Sequence, residues 1–165
     1  MSAPPACSQL LDPDLVAFLH SGLAGAMATA SADGVPALTR AFALRVAPDG
    51  RTIDVFVGRA QSVTCLTNMT PGRRLAVTTG SPLDYRGVQM KGAVIACQAP
   101  NADDALWIDR SAKLFEAAVA QVGVTSPGGF RCQEYVRVTF SPNAIYHQTP
   151  GPGAGNPLDP GLPWA

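Results

Sequence analysis

Short runs with the two-residue apolar period of a half-buried strand recur along the chain, separated by turn chemistry. Ala24 to Ala30 is small and apolar, Asp33 and Gly34 supply a turn, and Val35 to Val46 reads as a longer strand, predicting a hairpin. A turn at Pro48, Asp49 and Gly50 leads into Ile53, Val55 and Val57, which alternate with more variable neighbours and add a third antiparallel strand. Past the Pro71–Gly72 turn, Leu75 and Val77 mark another strand, and Gln89 to Gln98 the next. The final clear strand is Gln133 to Phe140, where Val136, Val138 and Phe140 alternate with Tyr135, Arg137 and Thr139.

Helical periodicity intervenes in a few places. Asp12 and Pro13 suit an N-cap and first helical position, and Leu15, Phe18 and Leu19 form the apolar face of a short packing helix that ends at Gly22. Gln61 to Asn68 fits another short helix. Asp103 to Val122 is a longer amphipathic one, with Trp107, Ile108, Phe115, Val119 and Val122 on its apolar side. The segment from Gln148 to Ala165 is rich in Pro and Gly and cannot readily join a ladder, because proline lacks the donor. Five or six strands joined mainly by tight turns, with flanking helices, favour a mainly β fold and a small barrel over a doubly wound sheet. The domain spans 1–147, followed by a Pro/Gly-rich tail over 148–165 or a strap on the surface.

With 165 residues, 47% of them hydrophobic, the chain suits one compact domain with a sizeable core. Twelve Lys plus Arg balance twelve Asp plus Glu, so no large uniform field exists to steer nucleic acid or an anionic membrane towards it. Leu15 to Ala32 carries no formal charge, but His20, Ser21 and Gly22 interrupt it as a membrane helix, and no basic residue precedes it as in a signal peptide. Cys7, Cys65, Cys97 and Cys132 are widely spaced and lack nearby histidines to complete a zinc site, which favours reduced thiols in a cytoplasmic protein and no metal.

Strict alternation places Leu38, Arg40, Phe42, Leu44 and Val46 on one strand face, where Arg40 interrupts an apolar row. Such a charge needs a partner. A phosphate fits, through paired charge-assisted hydrogen bonds. A carboxylate at a sheet edge fits equally well, and the arginine stem alone can cover apolar surface while its head reaches water. Gln89 and Lys91 share one face of a later strand, where an amide and an ammonium can serve a ligand or simply line an exposed rim.

The order of these features, TRAF at 39–42, then Val57, Gly58, Arg59, Gln61 and Ser62, then VQMKG at 88–92, resembles the flavin-binding split barrels related to pyridoxamine 5'-phosphate oxidase. The resemblance covers most of the chain and implies a closed six-stranded antiparallel split barrel that binds FMN. It also implies a homodimer whose cofactor sites use residues of both subunits, and flavin-dependent oxidoreductase chemistry on a small-molecule substrate. Carried onto this sequence, it assigns Arg40, Ala41 and Phe42 to the strand beside the flavin. Val57, Gly58, Arg59, Gln61 and Ser62 fall at the phosphate turn, with Gln89 and Lys91 at the flavin edge. The chain departs from the family pattern in three respects. Gln61 and Ser62 stand where many members carry a phosphate-site lysine, Arg86 is followed by Gly87 rather than glutamine, and the C-terminal arginine and histidine that recognise vitamin B6 are missing. A true pyridoxamine phosphate oxidase is therefore not expected. The alternative is a non-catalytic flavin- or haem-binding module, with His147 as the haem ligand.

Other chemistry-bearing residues have simpler explanations. His20 closes or hydrogen-bonds the first helix, Asp103 and Asp104 cap the long one, and Cys65 is a small apolar residue. His147 reads as a surface histidine beside its haem alternative. Gly151, Gly153 and Gly155 alternate with prolines and precede no helix, so they make no phosphate loop. Leu162 and Trp164 offer apolar groups by which the tail could dock.

Overall fold

A computed structural model describes residues 11–125 and 129–158. In chain order it contains α1 (Pro13–Leu19), β1 (Ala24–Ala30), β2 (Pro36–Val46), β3 (Ile53–Gly58), a 3-10 turn (Ala60–Ser62), α2 (Val63–Thr67), β4 (Arg74–Gly80), β5 (Gly87–Gln98), α3 (Ala102–Gln121) and β6 (Tyr135–His147). The six strands close into a barrel in the order β1-β2-β3-β6-β5-β4, every neighbouring pair antiparallel. The fold is the mainly β, six-stranded barrel expected from the strand spacing and the family resemblance.

Inward-facing side chains fill the barrel. Met27, Ile53, Val55, Val57, Val77, Val88, Met90, Val138 and Phe140 are fully buried, each favouring the closed state by about 1.5–3 kcal/mol of apolar burial. α1 plugs one end with Leu15, Phe18 and Leu19. Its start is fixed by Asp12, whose Oδ1 accepts the Asp14 and Leu15 N–H groups at 2.9 and 3.2 Å, with Pro13 in the first turn. His20 forms its C-cap, and Nε2 accepts the Val46 N–H at 3.0 Å while the ring meets Trp107 edge-on. Leu15 to Ala32 is thus divided between α1 and β1, and among the described residues no helix is long and apolar enough to cross a membrane.

Three bulges revise the simple period-two reading. On β2, Ala41 pairs with Val57 but Ala43 with Phe56, so Phe42 is an extra residue and the face of the strand switches there. Leu38 is 72% exposed while Leu44 and Val46 are core residues, so the single row of Leu38, Arg40, Phe42, Leu44 and Val46 expected from alternation does not exist. On β5, Ile95 is the extra residue between the Val94–Phe140 and Ala96–Thr139 pairs. On β6, Asn143 is the extra residue opposite Lys91 and Gly92. This bulge tolerates the missing donor of Pro142, so β6 continues to His147 rather than stopping near Phe140. Residues 148–158 then turn back along β6, with His147 N–H donating to Asn156 and Leu158 N–H to Ile145. Leu162 and Trp164 lie outside the described residues.

α3 lies outside the barrel. Ile108 packs with Ala43 and Phe56, and Trp107 Nε1 donates to the Leu44 carbonyl at 2.9 Å. Of Asp103 and Asp104, expected to cap α3, Asp104 does so as the partner of the N-cap Asn101, the two exchanging side-chain to backbone hydrogen bonds, while Asp103 lies in the same first turn. Asp104 does more, because its fully buried carboxylate meets both Arg45 of β2 and Arg137 of β6. Arg45 also binds Asp54 at 2.8 Å, and Asp54 accepts from Thr139. Burial alone would raise the Asp104 pKa, but the Asn101 N–H and the two guanidiniums hold the carboxyl below its usual range.

Candidate functional site

The candidate residues are best located by following one register row around the barrel. Arg40 of β2 is paired with Ala26 of β1, Ala26 with Thr78 of β4, Thr78 with Gln89 of β5, and Gln89 with Tyr146 of β6. Paired residues on adjacent strands point to the same side, and the intervening Met27, Val77, Val88 and Met90 fill the interior. The row is therefore on the outer face. A second outer row runs Leu38, Ala28, Ala76, Lys91 and Ala144. Arg40 and Gln89 are three strand spacings apart, about 14 Å along the sheet. Between them lies a floor of Ala26, Ala28, Ala76 and Thr78, too short to fill the space above it.

At the β2 end, Gly58 of β3 follows the Val57–Ala41 pair and so sits beside Arg40. A side chain at Gly58 would strike the Gln61 carboxamide and come within 3.0 Å of Cys132 Sγ, so glycine leaves the room that these two groups use. The Arg40 guanidinium lies 4.9 Å from the Phe42 ring centre, 5.1 Å from Phe130 and 5.5 Å from Phe115. Among the described residues no carboxylate pairs with it, so its one fixed surrounding is the electron-rich faces of three rings. Burial raises the Cys132 pKa, although Arg40 pulls the other way.

At the β5 end, Gln89 Nε2 donates to Thr78 Oγ1 at 3.2 Å, and Lys91 Nζ stands 4.8 Å from the centre of the Tyr146 ring. The remaining candidates are arranged differently. Ala41 and Val57 point into the core, so only their backbone reaches the outer surface. Arg59 is on the surface with Glu134, Nε to Oε2 at 3.2 Å. Ser62 is buried, and its hydroxyl shares a 2.7 Å hydrogen bond with Thr39 inside the barrel. Thus Arg40, Phe42, Gly58, Arg59 and Gln61 gather at one corner, Gln89 and Lys91 stand across an alanine floor from them, and Ser62 faces away.

His147 is at the end of β6, paired with the inward-facing Val88. His20 has the structural role expected of it, and Cys65 is packed in the core. Reasoning from sequence missed Ala26, Ala28, Ala76 and Thr78, which form the floor, and Phe115 and Phe130, which enclose Arg40. The small, apolar composition of β1 was the one signal, and nothing in the order of residues indicated which strands would be its neighbours.

No family model matches the sequence, and no curated protein matches it significantly. Solved structures do. HupZ of Group A Streptococcus superposes with a TM-score of 0.53 at 14% identity, covering 88% of this chain and 100% of that one. A pyridoxamine 5'-phosphate oxidase-like protein of Lactobacillus delbrueckii gives 0.51 at 12% identity, covering 85% and 96%. The fold is that of the pyridoxamine 5'-phosphate oxidase-like split barrels. A conserved hypothetical protein of Mycobacterium tuberculosis shares this split barrel with a TM-score of 0.50 at 16% identity, covering 87% and 88%.

The split barrel here offers features that fit a flavin nucleotide. An arginine with no carboxylate partner among the described residues can take a phosphate, the small-residue floor accepts a flat ring, and a glutamine amide stands at the far edge. It lacks one feature that would strengthen the phosphate site: neither Gln61 nor Ser62 carries charge.

Proposed function

We propose that this split barrel binds FMN and acts as a flavin-dependent oxidoreductase on a small molecule other than pyridoxamine phosphate. The observation that carries the reading is the outer row joining Arg40 to Gln89 across Ala26 and Thr78. Arg40 would bind the phosphate by charge-assisted hydrogen bonds, helped by Arg59 and by the Gln61 amide beside Gly58. Gln89 would hydrogen-bond the polar edge of the ring, and Lys91 would set positive charge near it. When bound, FMN supplies the hydride or electron transfer, so no side-chain acid or base is required of the protein.

The outer face is broad, and Leu38 and Val35 are exposed large apolar residues at its β2 side. A second copy of the chain covering this face would complete the site and keep water from the ring. The functional unit in this reading is a homodimer with two cofactor sites at its interface.

A second reading, a non-catalytic flavin- or haem-binding module, draws on the Ser62 hydroxyl turned into the barrel and the uncharged Gln61 beside it. One experiment separates the two. The purified protein is scanned for visible absorption, titrated with FMN, and assayed for reduction of bound FMN by a nicotinamide donor. FMN binding with turnover supports the oxidoreductase, FMN binding without turnover supports the module, and a Soret band abolished by His147→Ala supports haem. Absence of any cofactor binding would sink both readings.

A further inference from the structure

Beside the Arg40–Gln89 row the outer face deepens into a groove of about 270 Å³ over Ala28 and Ala76, bordered by Arg74, Lys91 and Asn143. Arg74 pairs with Ala93 and Lys91 with Ala76, so the two cations are diagonal neighbours across β4 and β5, roughly 7–8 Å apart at the backbone. Among the described residues neither is paired with a carboxylate: Lys91 stands over the Tyr146 ring, and Arg74 has no partner there. The Lys91 ammonium leans over Tyr146 at the Gln89 end while Arg74 stands at the Ala93 end, so the two cations border the groove from different sides and both attract an anion placed over its floor.

The backbone is shaped to direct side chains into the groove. Asn143 is the bulge residue of β6, the arrangement by which a strand re-aims one side chain out of its regular alternation. Gly92 stands opposite, and any side chain there would collide with the Ser141 carbonyl, so the two strands approach closely only because it is glycine. The floor is apolar and the rim carries two cations and an amide. That combination selects an organic anion with an apolar body rather than a bare inorganic ion.

We propose that Arg74, Lys91 and Asn143 form a recognition site for the acid group of a small organic anion, whose apolar body lies over Ala28 and Ala76. The groove adjoins the candidate flavin row, two residues along each strand, so such an anion would lie next to the ring as the substrate. Its role as substrate rests on the flavin reading, whereas anion binding itself does not.

The test uses benzoate and phenyl phosphate as probes, with benzyl alcohol as the neutral control. Binding is measured by calorimetry on the wild type and on the Arg74→Gln and Asn143→Ala variants, with FMN titrations on the same preparations. Saturable binding of either anion that weakens at least tenfold in Arg74→Gln and falls with added sodium chloride is expected, with benzyl alcohol not bound. Folding of each variant is checked by its melting temperature; should Arg74→Gln fail to fold, a loss of anion binding in Asn143→Ala carries the same expectation. The proposal is overturned if neither anion saturates, if both variants bind them as the wild type does, or if the alcohol binds as tightly. Loss of FMN binding in Arg74→Gln would also overturn it, by assigning the groove to the cofactor. Anion binding that depends on Arg74 in a protein that takes up no FMN would leave the anion site standing and reject the flavin reading instead.

Discussion

The two outer faces of this barrel treat charge in opposite ways. Under α3, Arg45, Asp54, Asp104 and Arg137 form a closed network in which every charge has an opposite partner. Across β2, β1, β4 and β5, Arg40, Arg74 and Lys91 face outward and none has a carboxylate among the described residues. Both faces belong to the same sheet and begin from the same kind of alternating sequence. The paired face is covered by a helix, so a lone charge there would be desolvated and costly, and each must be neutralised by the fold itself. The open face leaves its cations in reach of solvent, where an unpaired guanidinium is tolerated and remains available to a ligand. On the covered face pairing holds the molecule together, and on the open face Arg40, Arg74 and Lys91 stay available to a ligand.

The sharpest way to break that contrast is Asp104→Ala, which leaves Arg45 and Arg137 without their shared buried carboxylate. Loss of about 3–5 kcal/mol in denaturant unfolding is expected. A loss below 1 kcal/mol would mean that the network does not hold α3 to the barrel. Arg40→Ala should behave in the reverse manner. FMN affinity should fall by an amount equivalent to about 1.5–3 kcal/mol, roughly ten- to 150-fold, with the melting temperature nearly unchanged. An unaltered FMN dissociation constant would reject the phosphate contact.

A smaller effect concerns pH. Burial, followed by the nearby Arg110 and Arg45, lowers the pKa of His20 from its ordinary 6.5, favouring the neutral ring that accepts the Val46 N–H. The unfolded chain then binds this proton more readily than the folded one. Stability from this group is complete above pH 6.5 and declines as pH falls below it towards the lower folded pKa. His20→Gln should flatten that part of a melting-temperature profile between pH 8 and 5; an unchanged slope would assign it to other groups. The smallest expected change is in Arg74→Gln, an exposed residue without a partner among the described residues, whose stability should stay within about 0.5 kcal/mol of wild type.

Much of the architecture was legible from local chemistry. The Asp12–Pro13 start of α1, the bounds of β1 and the role of Asp104 in capping α3 follow from groups within a few residues of one another, and the structure has them where the pattern put them, although the N-cap itself is Asn101. β2 and β6, the strands whose side-chain row or extent was misread, each carry a bulge, at Phe42 and Asn143, and β5 carries a third at Ile95. A bulge depends on what the partner strand offers, so alternation within one strand cannot reveal it. The same limit applied to the site: Arg40, Gln89 and Lys91 stood out as polar residues in apolar strands, while Ala26, Ala28 and Ala76 looked like ordinary small residues.

The sequence by itself determined which segments become strands, which become helices and where the principal turns fall, because propensity, capping and alternation act over neighbouring residues. Tertiary structure alone decided that Arg40 and Gln89 share a row, that Ser62 turns inward to Thr39, and that Asp104 joins Arg45 to Arg137. Those relations depend on strand order, register and bulges in a closed barrel, where residues far apart in the chain meet only after the sheet has curved round and its last edges have paired.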